Sequence, residues 1–192
     1  MGRDKRYDRK DVLDKATRLF WQEGYRATSM ADIVRVTGLN TASMYKEFGD
    51  KDGLFERALE YYREHIMAPR FKILTDAPNI KGVEAFLASV VDGAIKKTYR
   101  GCLMMNHLAQ KHSISQEAVK QIDDYTATME RLLETALRNA QADGDLPAEK
   151  DPAGLASYIM CCVHGVVLYG RHQDKKSVIP KIYDTILHVL RA

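Results

Sequence analysis

Residues 28–55 read TSMADIVRVTGLNTASMYKEFGDKDGLF, and the reading of this stretch decides the fold. Met30, Ile33 and Val34 recur at helical spacing, and the spacing predicts a short helix capped by Thr28 and stopped by Gly38. Asn40 then stands where a side-chain oxygen would serve the free N–H groups of a new helix, TASMYKEF, before Gly49 and Asp50 punctuate again. Upstream, Val12, Leu13, Ala16, Leu19 and Phe20 share one face of a helix from about Asp8 to Glu23, which Gly24 stops as a left-handed cap would. Three short helices thus fit into about fifty residues.

Working outward, the same period continues. A longer helix runs from Asp50 through Leu54, Phe55, Ala58, Leu59, Tyr62 and Ile66, and Pro69 either kinks or ends it. Asp76, Pro78, Asn79 and Gly82 make a break before a helix over Val83–Lys97, and a shorter one starts near Gly101. Ser115 caps the longest helix, whose stripe runs from Ala118 to Ala140; Asp151 followed by Pro152 starts the next, to about Tyr169, and Ser177–Leu190 forms the last. No segment alternates with period two. The chain is expected to be all-α, with nine helices: a three-helix head, residues 1–50, that binds DNA, and a six-helix body, residues 51–192, for effector binding and dimerisation.

Composition bounds the function. Hydrophobic residues at 45%, charged residues at 29% and 5 Pro among 192 residues exclude disorder and collagen and supply ample core. No apolar run is read as approaching the ~18 to 20 residues of a membrane helix, and MGRDKRYDRK is charged where a signal peptide turns apolar, so a cytoplasmic protein with no membrane partner is expected. The 3 Cys include the adjacent Cys161 and Cys162, which argues for reduced thiols. A net charge of +3 permits nucleic-acid binding without demanding it: residues 1–55 hold eleven Lys and Arg against nine Asp and Glu, so the placement of charge has to carry any binding.

Two short helices joined by a turn at Gly38 have the proportions of a helix-turn-helix, whose second helix lies in the major groove. That helix offers Thr41, Ser43, Tyr45 and Lys46, with Lys51 opening the next. Their hydroxyl and ammonium groups suit phosphate oxygens, and Thr41, Ala42 and Lys46 can touch base edges or a thymine methyl. Ile33, Leu39, Met44 and Phe48 are the apolar counterweight. By spacing alone, any three-helix bundle with polar surface residues would serve equally.

The residues also carry a resemblance. Residues 28–55 resemble the signature of the TetR/AcrR family of bacterial transcriptional regulators, with Thr, Gly, Tyr, Phe and Lys at the family's spacing over about the first sixty residues. Arg100-Gly101-Cys102-Leu103 followed by Asn106 is similar to a segment of one AcrR-like subgroup. Val34, Asn40, Lys46 and Glu47 depart from the commoner residues, and the last two stand where the family meets DNA, so the operator sequence does not carry over. The resemblance implies a homodimeric, ligand-responsive regulator, a repressor first, reading a palindromic double-stranded DNA operator. It implies Ser29, Ser43, Tyr45 and Lys51 as phosphate contacts and Thr41, Ala42, Lys46 and Glu47 as residues facing bases. The arm Arg3, Lys5, Arg6, Arg9 and Lys10 either reaches the backbone or minor groove or is a solvated tail.

For the body, the family arrangement implies that Phe86, Tyr99, Met104, Met105, Leu108, Tyr125 and Met129 face a common interior, with Tyr62, His65 and His107 adding polar contacts. Deformable Met and aromatic faces suit a mostly apolar small-molecule effector, although the same stripe also serves as plain core. Tyr158, Ile159, Cys162, Val163, Val166 and Val167, then Ile179, Ile182, Ile186 and Leu190, offer more apolar surface than one bundle needs, which predicts a two-fold four-helix interface. No cofactor and no metal are expected. His107 and His112 lie about 140° and 280° around a helix from Cys102; Cys161 and His164, three apart on one face, could be doubled to four ligands by a two-fold axis, but read first as packed core residues. Two alternatives remain: Cys102, after Arg100 and Gly101 at a helix start, as a thiolate sensor of electrophiles, or a helical thiol enzyme, for which no orienting acid or oxyanion hole suggests itself.

Overall fold

The computed structural model describes residues 7–108 and 110–191. Arg3, Lys5 and Arg6 of the arm lie outside the described residues; Arg9 and Lys10 lie within them. All regular structure among the described residues is helical: α1 (Arg9–Glu23), α2 (Met30–Thr37), α3 (Thr41–Phe48), α4 (Lys51–Tyr62), α5 (Ala68–Asp76), α6 (Ile80–Ala94), α7 (Leu103–Leu108), α8 (Gln116–Ala142), α9 (Pro152–Tyr169) and α10 (Ile179–Arg191). Short 3-10 turns occupy Lys111–Ser113 and Gln173–Val178.

Side-chain oxygens start most of these helices, because the first turn leaves N–H groups that the helix itself cannot satisfy. Asp8, Asn40, Asp50, Asn79 and Asp151 each accept from backbone N–H groups just inside their helices, and Pro152 fills a first-turn position where its missing N–H costs nothing. Ser115 does the same for α8, accepting from the Ala118 N–H at 3.1 Å. Several boundaries differ from the sequence reading: α6 ends at Ala94 rather than Lys97, and α10 begins at Ile179 rather than Ser177, behind a 3-10 turn. Ser29, not Thr28, caps α2; the buried Thr28 hydroxyl donates back to the Gly24 carbonyl at 2.8 Å. Asn79 caps α6 and Gly82 lies in its first turn rather than in a break before it, so that helix starts three residues early.

Pro69 does not end the helical backbone. Helical backbone continues from 51 to 76, but residues Arg63–Met67 form a π turn and Pro69 sits in the first turn of α5, where the ladder has already been re-registered. A proline removes one donor and its ring presses on the carbonyl four residues back, and a π turn absorbs both faults. Counted this way the expected nine helical rods stand, one of them carrying the π turn.

The described residues form two compact units, the first comprising residues through Ile66 together with Cys102–Asp123, the second Met67–Gly101 together with Asp124 onward. In the first, α1 packs on α2, α4 and α7, and α3 packs on α2 and α4. Its centre is Phe20, Phe55, Ile33, Met44 and Leu54, none of them more than 1% exposed; each such side chain contributes roughly 1.5–3 kcal/mol by burial. In the second, α6 packs on α5, α9 and α10, and α10 on α9.

Helix α9 corrects the reading of apolar runs. It holds 18 residues without Asp, Glu, Lys or Arg, has a mean hydropathy of 1.5, and is by length and composition alone long enough to cross a membrane. Here Ala156, Ile159, Met160, Val163, Val166 and Val167 are buried within the second unit. Gly170, just beyond it, leaves no room for a side chain, since a Cβ would lie 2.7 Å from the Tyr99 ring and 2.9 Å from the Ala94 Cβ. Gly170→Ala should therefore cost ~1–3 kcal/mol by overpacking, read as a lowered denaturation midpoint. An unchanged midpoint would show that Tyr99 yields freely.

Candidate nucleic-acid interface

The helix-turn-helix is built from three small hydrogen-bonded locks. At the start of α2, the Ser29 side chain accepts from the Asp32 N–H at 3.1 Å while Asp32 Oδ2 accepts from the Ser29 N–H at 3.1 Å and its hydroxyl at 2.5 Å, a reciprocal capping box that Arg35 closes at 2.9 Å. Between α2 and α3, Gly38 takes φ 72° and ψ 3°, the left-handed conformation that costs glycine nothing. The Thr37 hydroxyl beside it donates to the Ile33 carbonyl at 2.7 Å and accepts from the Leu39 N–H at 3.2 Å. Asn40 then accepts from the Ser43 N–H at 2.9 Å, as its position in the sequence predicts.

With the turn fixed, the register of α3 follows. Met44 and Phe48 point inward and are buried, while Thr41, Ala42, Tyr45 and Lys46 form two adjacent rows of exposed side chains, Tyr45 being 49% exposed. These four share one solvent-facing surface. Ser43 is half-buried and Ser29, though exposed, is committed to its capping box. Glu47 is turned away from that surface: the Tyr7 hydroxyl donates to its Oε2 at 2.8 Å and Arg9 Nε to its Oε1 at 3.0 Å, leaving the side chain 17% exposed. Arg9 also lies 5.8 Å from the Phe48 ring centroid. Lys51, at the start of α4, holds its ammonium 4.2 Å over the Tyr25 ring, and burial lowers its pKa against the opposing pull of Asp52. Sequence reasoning missed Tyr7, Tyr25 and Asp52, because their partners lie tens of residues away.

The residues expected around an effector are divided between the two units. Within the first, Tyr62, Cys102, Met104 and His107 are buried, Met105 and Leu108 half-buried, and His65 exposed and stacked on Tyr61 at 4.3 Å. Cys102 stands immediately before α7, 4% exposed, and its carbonyl accepts from the Asn106 N–H at 2.8 Å. Within the second, Phe86, Tyr125 and Met129 are buried, Tyr125 meeting Phe71 edge to face at 5.4 Å, and Tyr99 is half-buried. A cleft of about 400 Å³ in the first unit, between the start of α1 and α4, is lined by charged side chains, and of the expected effector residues it takes in only His65. Of the expected interface residues, Val163, Val166, Ile179 and Ile186 are buried within the chain itself, whereas Tyr158, Cys162 and Ile182 are half-buried. The uncovered stripe of α9 runs instead through Tyr158, Cys161, Cys162, Gly165, Leu168 and Tyr169, with Leu168 55% exposed. Beside it, His164 Nε2 is buried without a hydrogen-bond partner, and burial lowers the ring's pKa against the pull of Glu130.

Comparison with known proteins agrees with this geometry. Residues 12–58 match the family described as bacterial regulatory proteins, tetR family, and residues 80–186 match the tetracyclin repressor-like C-terminal domain. The chain is 31% identical over 191 residues to the HTH-type transcriptional repressor ComR of Escherichia coli (strain K12), covering 98% of this chain and 91% of that protein. Among solved structures it resembles a cysteine mutant of the TetR family transcriptional regulator CifR complexed with 26bp double-strand operator DNA, at TM-score 0.81 and 25% identity over 98% of this chain and all of that one. It also shares the fold of reduced E. coli NemR, at TM-score 0.83 and 17% identity over 96% and 97% of the two chains.

The capping box has a pH signature. Bonds from Ser29 and Arg35 draw the Asp32 carboxyl down to about 2. A folded pKa below the unfolded value stabilises above the unfolded pKa and is lost as pH falls through the folded one. Asp32→Asn should thus flatten the acid limb of stability between about pH 4 and 2, and an unchanged limb in denaturation curves would remove the box from the account.

Proposed function

Because the chain belongs to the TetR family of bacterial regulatory proteins, we propose that it is a transcriptional repressor that binds a palindromic operator as a homodimer and releases it on binding a small, mostly apolar effector. The observation that carries the DNA reading is the outward surface of α3. Thr41, Ala42, Tyr45 and Lys46 face solvent together, on a helix whose opposite side is locked by Met44 and Phe48. The length of α3, eight residues, suits the major groove, and its Lys and hydroxyl groups suit phosphate and base edges. Ser43 and Lys51 flank this surface as phosphate contacts, and Glu47 serves to hold Tyr7 and Arg9 rather than to read a base.

Dimerisation is favoured by the uncovered stripe of α9. Its spacing of three and four residues from Tyr158 to Tyr169 is that of a helix seam, it is apolar, and α10 adds Ile182 beside it. One head reads one half-site, so two heads are needed for a palindrome. Burial of Cys102 favours a structural role for that thiol, and a reversibly bound effector, over attack by an electrophile from solvent.

A footprint on the DNA upstream of the chain's own gene tests the reading, and two protected half-sites related by a dyad are expected. In the same assay Lys51→Ala should weaken binding to every sequence and flatten its salt dependence, whereas Thr41→Ala or Lys46→Ala should relax preference at one or two base pairs, each costing ~1–3 kcal/mol. Wild-type binding by all three variants sinks the assignment of α3. Leu168→Glu should convert the dimer to monomer in sedimentation while leaving helix content intact, since the residue is exposed in the single chain and desolvated only in the pair. A wild-type chain that is monomeric yet occupies both half-sites tightly would overturn the interface.

A further inference from the structure

His107 is 2% exposed, and both nitrogens of its ring are engaged inside the first unit. Nε2 lies 3.1 Å from the backbone N–H of Tyr25, which can only donate, and Nδ1 lies 2.9 Å from the Leu103 carbonyl, which can only accept. The two partners fix the protonation: Nδ1 carries the proton and Nε2 accepts. The ring packs on Phe55 at 5.0 Å, and Phe55 in turn meets Tyr25 at 5.0 Å.

Tyr25 is held from three directions. Its amide is held by His107, its phenol donates to Asp52 in a short bond, and its face carries the Lys51 ammonium at 4.2 Å. Burial, and then Asp52, raise the phenol's pKa, so it remains a neutral donor. His107 itself sits on α7, which by sequence falls within the C-terminal family segment, residues 80–186, but by packing belongs with α1 and α4. A helix of the effector-binding segment thus hands one hydrogen bond directly to the residue under a DNA-contacting lysine.

We infer that His107 is a positioning residue for DNA binding: its Nε2 holds the Tyr25 amide, Tyr25 holds the Lys51 ammonium over its ring, and a displacement of α7 that withdraws the imidazole releases Lys51 from the phosphate. The inference rests on Lys51 being a phosphate contact, and it names the link by which movement of α7 reaches the head. It requires no change in α3, whose turn is locked by Thr37, Gly38 and Asn40.

The test uses the full chain and two variants. His107→Phe keeps a ring against Phe55 and removes the acceptor; His107→Gln places a non-titrating oxygen near the position of Nε2. In wild type, long-range ring spectra should show His107 protonated at Nδ1, and the terminal methylene protons of Lys51 should be shifted upfield by the Tyr25 ring. His107→Phe should lose that shift and about tenfold in operator affinity, with no further loss on adding Lys51→Ala, and His107→Gln should restore both. Should His107→Phe fail to fold, His107→Leu takes its place. The inference is overturned if the acceptor-free variant keeps the Lys51 shift, if its loss adds to that of Lys51→Ala, or if His107→Gln is as defective as His107→Phe. A wild type that binds no operator would instead overturn the DNA reading, and the Lys51 resonances would still decide the positioning claim.

Discussion

Phe20 and Phe55 meet edge to face at 5.0 Å, both fully buried, and the head depends on that contact. Phe20 belongs to α1 and Phe55 to α4, and α4 follows closely on α3. Only Gly49 and Asp50 lie between the two helices, so where α1 holds α4 decides where α3 can lie. Met44 and Phe48 then leave α3 one way to turn, with Thr41, Ala42, Tyr45 and Lys46 outward. Tyr25 and His107 complete the same aromatic cluster, so packing, presentation of Lys51 and the reach of α7 share one set of rings. A large-to-small change at Phe55 would open a cavity costing roughly 3–5 kcal/mol and remove all three at once.

The helical architecture was legible because the signals that make it are local. Gly38, Asn40, Asp50, Ser115 and the Asp151-Pro152 pair act within one turn of where they stand, and a 3.6-residue period needs only its own segment to be read. The errors were of the same local kind. Thr28 and Ser29 are adjacent hydroxyl residues, and the deciding feature was the acid three residues after Ser29, the spacing of a capping box. Asn79 stands in what reads as a break although it is a good cap, and Pro69 does not end the helical backbone, because a π turn precedes it.

Side-chain roles that depend on distant partners were not legible. Glu47 follows Lys46 on the exposed part of α3, and nothing within one turn says that Tyr7 and Arg9, about forty residues upstream, take its carboxylate. The same limit applies to α9. An uninterrupted apolar helix looks alike whether it is interior or interface, and only the fold separates Val163 and Val166, inside, from Cys161 and Leu168, outside. His107 was visible as a polar residue beside a Met stripe, but its tautomer is set by Tyr25, eighty-two residues earlier.

A head with a slight excess of cations can still bind DNA if its acids are spent on geometry. Asp11 pairs with Lys15, Asp14 with Arg18, Asp32 with Arg35 and Glu47 with Arg9. Exposed pairs of this kind are worth only about 0–1 kcal/mol each, so their effect is to orient side chains more than to stabilise the fold. Among the described residues, Lys46 and Lys51 make no ion pair, and they stand on the outward surface of α3 and at the start of α4. On the proposed reading, the field that DNA would meet is set by the placement of such groups more than by net charge. On that same reading, discrimination would fall to the short-range contacts proposed for Thr41, Ala42 and Lys46, and the register of α3, and so the turn at Gly38, would then matter more to this head than its overall charge.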